Sequence, residues 1–154
     1  MTFQSTGKFD LAICDIDGKR LGQAGIRYPK AKTYTDYRRL LEEMHKQIDA
    51  VTVSTPDHHH AVASIRAMKM GKHCFCQKPL TRTIYESRMM RKVAAENRVV
   101  TEMGNQGSAH PDLRKIVALT REGALGNVGE VHVWTDRPGN FWQNGLERPS
   151  ASEC

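Results

Sequence analysis

At 154 residues, with 39% hydrophobic and 26% charged side chains, 12 Gly and 6 Pro, the chain has room for one ordinary domain or part of a larger protein, and collagen-like, low-complexity and strongly disordered classes are excluded. Its 23 Lys and Arg against 17 Asp and Glu leave a net charge of +6, which favours anionic ligands without naming one. No apolar run reaches the ~18–20 residues of a membrane span, and Met1 to Lys8 lacks the basic-then-apolar order of a secretory leader, so a cytoplasmic location is expected.

In chain order, Leu11 to Ile16 is short and almost continuously apolar, as a parallel strand covered on both faces should be. It ends in acid at Asp15 and Asp17, and a basic, glycine-containing segment runs on to Pro29. Tyr37, Leu40, Leu41 and Met44 then recur at helical spacing, with Thr35 as the expected N-cap. Ile48 to Val53 is the next strand. Pro56-Asp57 opens a helix whose expected apolar face is Ala61, Val62, Ile65 and Met68, with Gly71 placed to end it.

His73 to Gln77 is again a strand, and Thr83 with Glu86 forms the pattern of a capping box ahead of a stripe of Met89, Met90, Val93 and Ala94. Val99 to Met103 is a strand. His110-Pro111 starts a helix carrying Leu113, Ile116, Val117 and Thr120, closed by Gly123, and Glu130 to Thr135 alternates like a half-exposed strand. Strand and helix alternating at this spacing predict right-handed βαβ units in a doubly wound parallel sheet, with ligands beyond the carboxyl ends of the strands. Candidate site residues therefore follow each strand: Asp15 and Asp17, then Ser54 to His58, then Gln77-Lys78-Pro79, then Gly104 to Gly107.

Each feature also has a plainer reading. Asp15 stands where an acid would bond the ribose hydroxyls of a bound dinucleotide, yet an acid after a strand also simply starts a turn. The G-x-G-x-x-G fingerprint between a first strand and its helix is absent, and Gly123, Gly126 and Gly129 follow a helix, which makes them a cap and a turn. His58, His59 and His60 with His73, Cys74 and Cys76 invite a metal, but consecutive histidines diverge at a helix start and no C-x-x-C pair closes a tetrahedron, so no metal is expected. Cys14, Cys74 and Cys76 fall in apolar strands and read as reduced, buried thiols. The dispersed basic residues, Arg82, Arg88, Arg91, Lys92 and Arg98 among them, lack interleaved aromatics and fit a solvated helix face better than a nucleic-acid surface. Lys78, held by Pro79 directly after a buried strand, is the sharpest candidate, because its ammonium could polarise a substrate oxygen.

Four segments in register, Ser54 to Ala61, Cys76 to Thr81, Met103 to Gly107 and Val131 to Pro138, resemble the glucose–fructose oxidoreductase / inositol dehydrogenase (Gfo/Idh/MocA) family over roughly Phe9 to Pro149. The resemblance implies an NAD- or NADP-binding Rossmann domain over residues 1–125, the start of a second, substrate-binding α/β domain over 126–154, and hydride transfer between a sugar or polyol and the nicotinamide. Lys78 would be the catalytic lysine of the family's Glu-Lys-Pro motif. Asp15 would face the adenosine ribose, Ser54, Thr55, Pro56 and His58 would line the cofactor groove together with Gln77, Lys78 and Pro79, and Asn105 and Gln106 would sit near the nicotinamide.

Three departures accompany the resemblance. Gln77 replaces the motif's acid, Met1 to Lys8 is too short to hold a first strand and glycine-rich turn, and no catalytic histidine of a second domain follows. The expected fold is thus an incomplete Rossmann-like sheet lacking its first strand, with bare inner edges that invite strand exchange or homo-oligomers, weak dinucleotide binding and an inactive chain on its own. A non-catalytic βαβ binding module is the alternative function.

Overall fold

The computed structural model describes residues 2–5 and 8–134, with side chains from Ala12 onward. The chain forms two compact units, Met1–Ala109 and His110–Cys154. The first is built on a six-stranded sheet of order β3-β2-β1-β4-β5-β6. Its strands are β1 (Thr2–Ser5), β2 (Lys8–Cys14), β3 (Lys32–Tyr34), β4 (Ala50–Val53), β5 (His73–Gln77) and β6 (Thr101–Gly104). β2 and β3 pair in parallel, as do β4 with β5 and β5 with β6.

The centre of the sheet corrects the expectation of bare inner edges. β1 lies between β2 and β4 and runs antiparallel to both, with Phe3 opposite Ala12 on one side and Val51 on the other. The central place of the Rossmann order is filled, but in the reverse direction. Four residues suffice for this because an antiparallel neighbour needs only a tight turn, whereas a parallel one requires a crossover of a dozen residues or more. A glycine-rich turn leading from a parallel first strand into a helix does not occur among the described residues.

Five helices accompany the sheet in this unit: α1 (Gly18–Arg27), α2 (Tyr37–Met44), α3 (His60–Lys69), α4 (Ile84–Asn97) and the single turn α5 (Gln106–Ala109). α1 occupies the segment read only as basic and glycine-containing. Its internal Gly22 and Gly25 weaken the helical pattern and none of its residues is buried, so the Asp17 carboxylate, accepting from the Lys19 and Arg20 N–H groups, marks its start. The N-cap of α2 is Asp36 and not Thr35: its carboxylate accepts from the Arg38 backbone N–H at 2.8 Å. Thr83 and Glu86 form the expected capping box at α4.

The main cluster of buried side chains lies on one face of the sheet. Val51, Val53, Cys74 and Cys76 point from β4 and β5 toward Leu40, Leu41 and Met44 of α2, Ala61, Ala63, Ala67 and Met68 of α3, and Met90 and Val93 of α4. α3 packs on β4, β5 and α4, and its small Ala residues let these backbones approach closely. The expected apolar face of α3 is corrected: Val62 is 52% exposed, while His60 and Ser64 are buried. Gly71, at φ +74°, takes the left-handed conformation that ends the helix, and the buried Lys72 ammonium donates to the His45 carbonyl.

Several strand boundaries move. The first predicted strand starts at Lys8 and ends at Cys14, leaving Ile16 90% exposed; Ile48–Val53 contracts to Ala50–Val53, and Val99–Met103 shifts to Thr101–Gly104. β3 has three residues and carries too little pattern to be read from sequence. In the second unit, α6 (Pro111–Arg121) is capped by His110, whose ring nitrogen accepts from Asp112 N–H, and Gly123 follows at φ +85°. Glu130 to Trp134 is not a strand, which corrects that expectation for the described residues; an alternating segment becomes a strand only when a neighbour pairs with it. Thr135 and the rest of the predicted motif through Pro138 lie outside the described residues.

Candidate active site at the carboxyl edge of the sheet

Because β2, β4, β5 and β6 run in one direction, the residues that follow them come to a single edge. Three loops of that edge are joined by specific bonds. After β4 come Ser54, Thr55 and Pro56, then a short 3-10 turn at Asp57–His59 that leads into α3. After β5 come Lys78 and Pro79, joined by a cis peptide bond. The ring of His60, 1% exposed, spans the two: Nδ1 lies 2.6 Å from the Pro79 carbonyl oxygen and Nε2 lies 2.8 Å from that of Thr55.

The third loop, after β6, is tied to β5 by amides. Gln106 Nε2 donates to Gln77 Oε1 at 2.5 Å. Gly104 pairs with Gln77 in the ladder and is buried beneath it, where a Cβ would stand 2.8 Å from Gln77 Oε1 and 2.9 Å from the Phe75 ring. A neutral Gln side chain both accepts and donates, so this pairing suits the amide that replaces an acid at position 77. Asn105 turns the chain, its N–H donating to the Met103 carbonyl and its own carbonyl accepting from Ser108.

Lys78 is exposed beside this edge, as are Ser54, Pro56, His58 and Pro79. The Thr55 hydroxyl is buried and has no hydrogen-bond partner among the described residues, which marks it as a group able to meet a ligand atom. His59 sits edge-on to Tyr37 at 5.1 Å between ring centres, and burial, reinforced by the flanking His58 and His60, holds its pKa below the ordinary histidine value. Asp15 is separated from these loops by β1, two strand spacings or roughly 10 Å away. Its carboxylate accepts from the Asp17 N–H at 2.9 Å, so the turn-forming role is in place while the side chain stays half-exposed at the edge.

Sequence reasoning missed His60 as anything but one of three adjacent histidines. The available signal was positional, since residues 60, 61, 64, 67 and 68 share one helical stripe and a polar ring on a buried stripe needs partners. With both nitrogens turned to carbonyl oxygens, His60 has no lone pair directed at a metal.

The donor and acceptor set at this edge matches part of a dinucleotide better than the whole. The orphaned Thr55 hydroxyl, the Lys78 ammonium and the Gln77–Gln106 pair offer polar groups for a ribose and nicotinamide, and Asp15 offers an acid for the other ribose. The pyrophosphate finds no equivalent seat among the described residues: the central strand runs the wrong way to deliver a helix N-terminus, and the first turn of α1 is already capped by Asp17.

A mostly parallel α/β sheet with polar loops gathered at its carboxyl edge places the chain in the class of doubly wound α/β proteins, which receive ligands at that edge. More narrowly, residues 6–105 match the Gfo/Idh/MocA oxidoreductase family, NAD-binding Rossmann fold, and the chain belongs to that family. It is 28% identical over 116 residues to a levoglucosan dehydrogenase of Pseudarthrobacter phenanthrenivorans, covering 75% of this chain and 29% of that protein. Among solved structures it is similar to an inositol dehydrogenase homologue from Azotobacter vinelandii complexed with NADH and myo-inositol (TM-score 0.61, 30% identity, 73% of this chain and 31% of that one). It is also similar to a 3-ketoreductase from Actinomadura kijaniata in complex with TDP-benzene and NADP (TM-score 0.65, 28% identity, 73% and 34%). The chain spans about a third of the length of these relatives.

Proposed function

We propose that this chain contributes the ribose- and nicotinamide-facing part of the site of an NAD- or NADP-dependent oxidoreductase acting on a sugar or polyol. The observation that carries the reading is the convergence of the Thr55 and Lys78–Pro79 loops on one buried His60, at the edge where this fold receives its ligands. The relatives point to the substrate class, since they include dehydrogenases of levoglucosan and of inositol. Residues 1–125 form the cofactor side and residues 126–154 the beginning of the substrate side. A cytoplasmic location fits such an enzyme, and no described helix is long and apolar enough to cross a membrane.

When bound, the nicotinamide supplies a hydride acceptor or donor. The chain's own groups do the rest. The Lys78 ammonium stabilises negative charge growing on the substrate oxygen and gives a proton there when a carbonyl is reduced, and the neutral Lys78 amine takes the hydroxyl proton when a carbinol is oxidised. The Gln77–Gln106 pair presents amide donors and acceptors without a charge that would compete for the Lys78 ammonium.

Titration of the isotope-labelled chain with NAD and NADP, read by amide resonances, tests the proposal. The expected result is millimolar affinity at best, about −4 kcal/mol, because the pyrophosphate lacks its anchor. Perturbations should centre on Asp15, Thr55, Lys78 and Gln106. Perturbations elsewhere, or none at several millimolar, overturn the site; a micromolar dissociation constant overturns the argument about the phosphate. In a catalytically complete enzyme carrying this sequence, Lys78→Ala should lower kcat by ~10²-fold or more, and an unchanged kcat returns Lys78 to a solvated loop residue.

A further inference from the structure

We infer that His60 is a positioning residue that sets the distance between the Thr55 loop and the Lys78–Pro79 loop; as a statement about catalysis this rests on the reading of Lys78 above. The ring occupies the first position of α3 and is 1% exposed, so its location is fixed by the helix and the core beneath it. Its two nitrogens lie 2.6 and 2.8 Å from the Pro79 and Thr55 carbonyl oxygens, so the separation of the two loops is the width of one rigid ring plus a hydrogen-bond-length approach on each side.

A rigid ring defines that distance more narrowly than a flexible side chain, in which each rotatable bond adds spread. Both acceptors are backbone atoms, which no side-chain rotation can withdraw. Both are oxygens without a hydrogen to give, so every bond in the bridge depends on a ring N–H.

The chemistry of the site needs such a device. Lys78 is exposed, and its backbone is the natural handle by which the fold can aim it. Before Lys78, Gln77 is held by the ladder to Gly104 and by the Gln106 amide; after it, the Leu80 carbonyl accepts from the Cys76 thiol at 3.7 Å and the Thr81 hydroxyl donates to the Thr83 carbonyl at 2.8 Å. The Pro79 carbonyl, one residue after Lys78, is held by His60.

Two substitutions separate positioning from space-filling. His60→Phe keeps a ring in the same volume and removes every donor, whereas His60→Gln keeps a donating N–H. Backbone order parameters from nitrogen-15 relaxation are measured on the 154-residue chain without cofactor. In the unsubstituted protein Thr55, Lys78 and Leu80 are expected near ~0.85, and in His60→Phe below ~0.6, while Val51, Val53, Cys74 and Cys76 stay near ~0.85. His60→Gln should recover at least half of the loss. The unsubstituted protein should also show a slowly exchanging His60 ring N–H.

Unchanged order at Thr55 and Lys78 in His60→Phe overturns the proposal, as does an equal loss throughout the strands. Failure of His60→Gln to differ from His60→Phe does the same. If His60→Phe does not fold, the ring signal decides alone, and exchange at the rate of free imidazole refutes the bridge. None of these readouts involves NAD or NADP, so the bridge can hold where the cofactor reading fails, and the reverse.

Discussion

Gly104→Ala tests whether the β5–β6 edge is as tightly built as its geometry states. The new Cβ would meet the Phe75 Cε1 and Cζ atoms at 2.9 Å and Gln77 Oε1 at 2.8 Å. Carbon atoms rest at about 3.5–4.0 Å, so the ring must retreat by about 0.6 Å or more. Both obstacles are the ends of side chains, which lets them yield. The Gln77 amide can yield only by giving up its 2.5 Å bond to Gln106, a loss of about 0.5–1.5 kcal/mol. Pushing the Phe75 ring off its rotamer adds about 0.5–1.5 kcal/mol. Replacing Gly lowers the entropy of the unfolded chain and returns about 0.4–1 kcal/mol. The net expectation is a destabilisation of about 1–2 kcal/mol, read as a drop in the urea midpoint by far-ultraviolet circular dichroism at constant m. Phe75→Leu removes the ring edge, so in a double-mutant cycle it should cost less in the Gly104→Ala background than in the parent, with a coupling near ~1 kcal/mol. A Gly104→Ala protein within about 0.5 kcal/mol of the parent, with Gln77 and Gln106 side-chain resonances in place, would refute the reasoning.

Two further expectations concern titration. The Arg38 side chain, then the Arg38 backbone N–H, bond the Asp36 carboxylate and hold its pKa down from 3.8 to about 2. A carboxylate depressed by folding stabilises fully above its unfolded value and loses that effect as the pH falls, so stability should decline between about pH 4 and pH 2 in a way that Asp36→Asn abolishes; an identical acid limb in the variant contradicts it. Burial pushes the Cys14 and Cys74 thiols up to about 11 and raises that of Cys76, so at about pH 8 a thiol reagent should leave all three untouched until denaturant exposes them, and rapid labelling of any of the three in the native protein contradicts this.

What could be read directly from residues was whatever depended on local chemistry. The Thr83–Glu86 box, the strand at His73–Gln77 and the termination at Gly71 each follow from a few neighbouring residues, and each stands where the pattern put it. α1 escaped because its signal is a single cap at Asp17 followed by glycines. β3 escaped because three residues carry no period. Thr35 and Asp36 compete for one capping position, and the acid prevails because it also binds the Arg38 guanidinium, at 2.7 Å. The loops of the site were legible as strand ends, but their joining was not: residues 55 and 79 meet only through a histidine whose partners are backbone carbonyls, and backbone atoms leave no mark in a sequence.

The direction of one strand then decides how far the fold carries toward function. Thr2 pairs with Ile13 and with Thr52, near the carboxyl ends of β2 and β4, while Ser5 pairs with Lys8 at the opposite edge. The chain therefore leaves β1 at the edge away from the site, where β2 begins. A parallel strand in the same place would end at the site edge and lead into a helix whose first N–H groups face the ligand phosphates. Sheet order and the loops after β4, β5 and β6 are indifferent to this reversal, because antiparallel and parallel neighbours both complete the ladder at nearly the same spacing. Anion binding is not indifferent, since it depends on where a helix begins. A four-residue strand can thus complete the sheet without placing a helix N-terminus at the site edge, which is the physical basis of the weak NAD or NADP binding proposed above for a chain that keeps the family fold.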